Sequence, residues 1–153
     1  MKGILFGLGV GPGDPELLTL KALRLVKECD VIAVPGTAAE ESVAYQIVKG
    51  AWPEIAQKEL LPVPMPMTKD PRQLEENHEN GARSIESILQ KGKQVAFLTL
   101  GDPTVYSTYL YVHKKIQSWG YEVEIVSGIT SFCAVAARMN MGLVEKAEPL
   151  HVI

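Results

Sequence analysis

Three short stretches carry the residue types that hold small molecules: Gly7-Leu8-Gly9-Val10-Gly11-Pro12-Gly13-Asp14, Thr99-Leu100-Gly101-Asp102-Pro103 and Ser127-Gly128-Ile129-Thr130-Ser131. Each follows an apolar run and precedes a segment of helical pattern. Glycine lets a ligand approach the backbone closely. The carboxylates of Asp14 and Asp102 suit cations, and the Thr130 and Ser131 hydroxyls can donate or accept hydrogen bonds. The first stretch invites a dinucleotide reading, which its own residues oppose. Counted from Gly7, the third glycine of G-x-G-x-x-G falls on Pro12; counted from Gly9, it falls on Asp14. Pro12 removes a backbone donor, and Asp14 puts a negative charge where a pyrophosphate would sit. The acidic residue expected after the second strand is replaced by Pro35-Gly36. No G-x-x-x-x-G-K-[ST] loop occurs. A phosphate-free ligand, neutral or cationic near this loop, fits better.

The elements that must position these loops follow from pattern and punctuation. Ile4–Leu8, Val31–Val34, Val95–Leu100 and Val123–Val126 are short apolar runs that read as buried strands. Asp-Pro occurs at Asp14-Pro15, Asp70-Pro71 and Asp102-Pro103; the middle pair follows a loop, so the pair serves as helix-start punctuation. Asp14 is therefore expected to cap a helix with Leu18, Ala22, Leu25 and Val26 on one face. Asp70 is expected to cap one with the stripe Leu74, His78, Ala82, Ile85 and Leu89, ended by Gly92, and Asp102 one that runs to about Trp119. Ser42–Val48 reads as a helix with Val43, Ile47 and Val48 on one side, and Ser131–Met139 as the last helix. Residues 49–69 hold Pro53, Pro62, Pro64 and Pro66 and read as a loop-rich excursion with one extended segment near Glu59–Val63. Strands alternating with helices give an α/β fold, three layers with a mostly parallel sheet flanked by helices.

The chain has 153 residues, 46% hydrophobic and 22% charged, which suits one domain with a real core. Its net charge of −3 and the lack of a basic run argue against nucleic acid as a partner. Every apolar run is interrupted before it reaches membrane-spanning length, and Met1-Lys2-Gly3 enters a strand at once, so neither membrane insertion nor export is expected. Cys29 and Cys133 have no Cys or His at metal-ligand spacing. They read as reduced structural thiols of a cytoplasmic protein, with no metal site. Residues 1–143 form the expected α/β domain. Residues 144–153, with an apolar start at Leu150-His151-Val152-Ile153, read as a linker into a further strand, as in the first part of a longer protein.

Taken together, Gly9-Val10-Gly11-Pro12-Gly13-Asp14-Pro15-Glu16-Leu17-Leu18-Thr19-Leu20-Lys21-Ala22, Gly101-Asp102-Pro103 and Ser127-Gly128-Ile129-Thr130-Ser131-Phe132 resemble the tetrapyrrole (corrin/porphyrin) methyltransferases over essentially the whole chain. The resemblance implies the first domain of a two-domain fold, S-adenosyl-L-methionine as cofactor in a cleft between the domains, a tetrapyrrole substrate, and a homodimer at full length. Leu98-Thr99-Leu100-Gly101-Asp102-Pro103-Thr104-Val105-Tyr106-Ser107-Thr108-Tyr109 looks most like members that methylate C20 of precorrin-2 or its cobalt form in cobalamin biosynthesis. Other corrin-ring or uroporphyrinogen methyltransferases stay open as alternatives, as do a nucleotide-binding oxidoreductase domain and a non-catalytic module.

Carried over by position, the family's cofactor contacts fall on Pro12, Leu100, Gly101, Asp102, Val105, Thr130 and Ser131. Thr130 and Ser131 could equally cap the last helix. Relatives acting earlier in the pathway use an Asp after the second strand as a base; Pro35 stands there, so no general base is assigned. Asp102 and Tyr106 are the site-adjacent candidates for proton handling or orientation. His78 reads as a partly buried core histidine, and His113 and His151 have no partner at ligand spacing. Tyr106, Tyr109 and Tyr111 could face a flat macrocycle or pack on the sheet.

Overall fold

The computed structural model describes residues 1–152. Five strands, β1 (Ile4–Gly9), β2 (Val31–Pro35), β3 (Glu59–Val63), β4 (Val95–Thr99) and β5 (Glu122–Val126), form one sheet in the order β3-β2-β4-β1-β5. Every ladder is parallel. β2 and β4 are buried almost end to end, because helices cover both faces of a parallel sheet. The extended segment near Glu59–Val63 is thus a full strand. Its Pro62 lacks an N–H, and β3 tolerates this as an edge strand paired only with β2.

Helices α1 (Leu20–Glu28) and α2 (Val43–Ala51) bury Ala22, Leu25, Val26, Ala44, Tyr45, Ile47 and Val48 against one face of the sheet. Helices α3 (Pro71–Leu89) and α4 (Tyr109–Ser118) bury Ala82, Ile85, Leu89, Tyr109, Val112 and Ile116 against the other. Val43, expected on the inner side of α2, is exposed, and Ala44 and Tyr45 take the core. Helix α5 (Ser131–Arg138) follows β5 and buries no side chain.

Two expected helix starts are corrected. Asp14 caps only a single 3-10 turn, Pro15–Leu17, accepting from the Glu16 N–H at 2.9 Å. Leu18 is extended, and Thr19 then caps α1 by accepting from the Ala22 N–H at 3.1 Å. Thr19→Ala is therefore expected to lower the unfolding free energy by about 1 kcal/mol in urea melts, and Asp14→Ala by clearly less. Equal losses would place both residues on one helix. Asp102 likewise caps no helix: residues 103–108 are turns, Tyr106 has φ 51°, and α4 begins only at Tyr109. A left-handed non-glycine residue cannot sit inside a right-handed helix.

The crossovers β1-α1-β2 and β4-α4-β5 leave neighbouring strands β1 and β4 in opposite directions, towards opposite faces. The sheet's topological switch point lies between them, and ligands of open α/β sheets bind beyond the carboxyl ends of the strands at that point.

Candidate active site

Beyond the ends of β1, β4 and β5 the three glycine loops lock together through their backbones. Val10 N–H donates to Thr99 O at 3.0 Å, and Gly11 and Gly101 exchange N–H···O bonds of 3.3 and 2.9 Å. Packing is so close that a Cβ on Gly9 would lie 2.5 Å from Gly101 O, and one on Gly128 2.0 Å from the same oxygen and 2.8 Å from the Gly9 Cα. Only glycine allows three chains to meet at this distance. These glycines bring the loops to one another, a role the sequence did not disclose.

Asp102 ties the junction with its side chain. Oδ1 accepts from the Gly128 N–H at 2.8 Å, and Oδ2 accepts from the Thr104 N–H at 2.9 Å and from the Thr104 hydroxyl. Partial burial alone would raise the Asp102 pKa. The bonds from the Thr104 hydroxyl, the Gly128 N–H and the Thr104 N–H outweigh it and hold the carboxyl below its ordinary value. The group is a fixed anion at neutral pH, with both oxygens engaged, which suits an anchor better than a base.

A cleft of about 280 Å³ opens at this junction, lined by Pro12, Leu100, Gly101, Asp102, Val105, Thr130, Ser131 and Phe132. The seven residues carried over from the resemblance, drawn from three loops, thus line one cavity. Phe132 was not among them; the only hint was its place directly after Ser131. Asp102 is the only charged residue in the lining. Leu100 is 50% exposed and offers an apolar wall, and Gly101, at φ 63°, leaves the space over its Cα open, the nearest atom to a Cβ being 3.8 Å away.

Thr130 occupies the N-cap position of α5 but makes no side-chain cap bond, and its buried Oγ1 has no protein partner. The alternative role of helix cap is therefore not taken by this hydroxyl. A buried hydroxyl without a partner is costly unless a ligand or water supplies one. Other candidates fall elsewhere. Asp14 is outside this cleft, on an adjoining depression with Arg138. Tyr106 is 77% exposed and donates its hydroxyl to Val152 O at 3.1 Å. Tyr109 is buried on Phe97 and bonded to His113 Nδ1 at 3.0 Å, so it serves the core. Tyr111 stacks on His78. Cys29 is buried, and burial pushes its thiol up to about 12; Cys133, expected to be structural, is exposed on α5. Leu150, His151 and Val152 are exposed and form no strand, and Ile153 lies outside the described residues. Among the described residues no helix is long and apolar enough to cross a membrane.

The family model of the Tetrapyrrole (Corrin/Porphyrin) Methylases matches residues 5–153. This chain belongs to that family. It is 44% identical over 150 residues, 97% of the chain, to a probable cobalt-precorrin-2 C(20)-methyltransferase of Methanocaldococcus jannaschii, of which it covers 63%. It is 36% identical over its whole length to the cobalt-precorrin-2 C(20)-methyltransferase of Salmonella typhimurium, covering 64% of that protein. In three dimensions it resembles a cobalt precorrin-4 methyltransferase with a TM-score of 0.71 and 27% identity, over 94% of the chain and 53% of that structure. The chain thus spans just under two thirds of each of these two curated relatives. The junction of the β1, β4 and β5 loops at the switch point is the candidate ligand site of this domain.

Proposed function

We propose that this chain forms the amino-terminal domain, with its linker, of an S-adenosylmethionine-dependent C-methyltransferase that acts at C20 of precorrin-2 or cobalt-precorrin-2 in cobalamin biosynthesis. In this reading the full protein is a cytoplasmic homodimer, and a second domain completes the cleft. The names of the relatives in M. jannaschii and S. typhimurium, both cobalt-precorrin-2 C(20)-methyltransferases, support the substrate. The observation that carries the chemistry is the cleft itself: one fixed carboxylate, no basic side chain, and an unpartnered Thr130 hydroxyl at its wall. Such a lining favours a cationic ligand with polar donors and acceptors over a phosphate ester.

When bound, S-adenosylmethionine supplies a methyl group on a positively charged sulfur. The protein's contribution is positional. The interlocked glycines fix the three loops, Asp102 holds them and places negative charge beside the ligand, and Leu100, Val105 and Phe132 exclude water from one side. The Thr130 and Ser131 hydroxyls provide hydrogen bonds that orient the ligand. The electron-rich carbon of a reduced tetrapyrrole is its own nucleophile, so no activating base is required before transfer. Proton loss afterwards is assigned to no side chain: the Asp102 carboxylate is held below its ordinary pKa, and the Tyr106 hydroxyl lies outside the cleft lining and donates to Val152 O.

The test is to supply the full-length protein with methyl-labelled S-adenosylmethionine and precorrin-2, with and without cobalt, and to locate the label by carbon NMR. Label at C20 is expected. Label at another ring carbon would assign a different member of the family, and no transfer to either form would refute the reading.

A further inference from the structure

A second cavity, of about 320 Å³, opens on the same carboxyl edge of the sheet, between the segment after β3, the first turns of α3 and Thr108. Its polar groups are of opposite character to those of the cleft. Lys69, His78, Asn77 and Thr108 line it, and no Asp or Glu does, in a chain that carries more acidic than basic residues overall. The Asn77 Nδ2 is buried and has no hydrogen-bond partner, which leaves an amide donor wanting an acceptor. Thr108 donates its hydroxyl to Met65 Sδ at 3.3 Å, a weak acceptor readily exchanged for an oxygen. The His78 ring lies on Tyr111 with centroids 4.3 Å apart and planes 7° from parallel, which sets the plane of its nitrogens. Met65 and Leu74 supply apolar wall beside these donors. A short aliphatic arm ending in a carboxylate matches this lining.

Place matters as much as chemistry. Val105 lines the cleft and Thr108 the second cavity. Three residues of chain separate their Cα atoms by at most about 11 Å. We propose that this cavity receives a carboxylate arm of the tetrapyrrole substrate and so sets the orientation of the macrocycle against the methyl-donor cleft. The proposal rests on the functional reading above. It also accounts for how a polycarboxylate docks on a chain of net charge −3: the positive charge is local, at Lys69.

The probe is uroporphyrin III, whose arms end in carboxylates, compared with its methyl ester in absorbance titrations of the full-length protein. The variants are Lys69→Met, Asn77→Leu and the two combined. Wild-type protein is expected to bind the free acid and to bind the ester at least about tenfold more weakly, and the double variant to bind the acid about tenfold more weakly than wild type. Affinity for S-adenosylmethionine should stay within about twofold in all three variants. Asn77→Leu should leave the melting temperature unchanged or raised, because it removes an unpaired buried donor; a fall would mark Asn77 as structural and count against the proposal. If the double variant binds the acid as wild type does, the subsite is refuted while the methyltransferase reading stands. If the wild-type protein binds no free acid at all, the subsite is refuted, and the methyltransferase reading is decided separately by the label-transfer experiment. A parallel loss of S-adenosylmethionine affinity would assign the cavity to the methyl donor instead.

Discussion

Gly128→Ala is expected to lower the unfolding free energy by about 3 kcal/mol and to abolish detectable S-adenosylmethionine binding, although it removes no functional atom. The added Cβ would stand 2.0 Å from the Gly101 carbonyl oxygen and 2.8 Å from the Gly9 Cα, both backbone atoms that no side-chain rotation can move aside. Relief requires that the β5 loop part from the β1 and β4 loops. That movement stretches the Gly128 N–H bond to Asp102 and carries Thr130 and Ser131 away from Leu100 and Gly101 across the cleft. The neighbouring Ser127→Ala, at an exposed position, is the control and should stay within about 0.5 kcal/mol of wild type. Urea unfolding and titration calorimetry read both effects. A Gly128→Ala protein that keeps both stability and binding would show that the loops are not interlocked.

Asp102→Ala is expected to weaken S-adenosylmethionine binding by roughly ten- to a hundredfold, as the loss of a charged acceptor worth about 1.5–3 kcal/mol implies. Two causes act together: the Gly128 and Thr104 N–H groups lose their common acceptor, and the only charge of the cleft lining disappears. Asp102→Asn separates them. Its Oδ1 can still accept from Gly128, so the β4 and β5 loops stay tied, while the charge is gone and the amide no longer accepts from the Thr104 N–H within the β4 loop. If the junction alone matters, Asn binds like wild type; if the charge matters, Asn loses most of what Ala loses.

The same carboxyl makes a signed prediction for pH. Its folded-state pKa lies below the ordinary value, so its stabilising contribution is fully present above the unfolded pKa of about 3.9 and fades as pH falls through the lower folded value. The stability gap between wild type and Asp102→Ala should therefore be constant from neutral pH down to about pH 5 and narrow below about pH 4. A gap that widens on acidification would contradict the lowered pKa.

Much of the architecture could be read directly. Val31–Val34 and Val95–Leu98 are apolar without interruption because both faces of a parallel sheet are covered, and that pattern announces the fold class from a single sequence. Asp70-Pro71 marks the start of α3; its end is capped at Gln90, and Gly92, at φ 81°, sits in the turn that follows. β3 was harder to read, since an edge strand carrying Pro62 has neither the unbroken apolar run nor the full ladder of a central one. The divisions at Leu18-Thr19 and at Tyr106 were hidden for another reason. Pro15 and Pro103 both permit a helix to begin, and whether it continues is decided by where the chain must turn to reach the sheet, not by local preference.

Residue types and spacing placed three glycine loops at strand ends and opposed a pyrophosphate there, and the family resemblance pointed to the seven residues to watch. The tertiary structure decided how those residues work. It turned Asp102 from an expected helix cap into the clamp between the β4 and β5 loops, left the Thr130 hydroxyl without the cap bond it could have made, and placed Tyr106 outside the cleft lining with its hydroxyl on Val152 O. It also revealed that Gly9 and Gly128, far apart in the chain, are required by each other. The physical reason is that a motif records what a loop can tolerate, whereas the contacts between loops depend on the order of strands in the sheet. In the order β3-β2-β4-β1-β5, strand β1 lies between β4 and β5, and the three loops can meet only there.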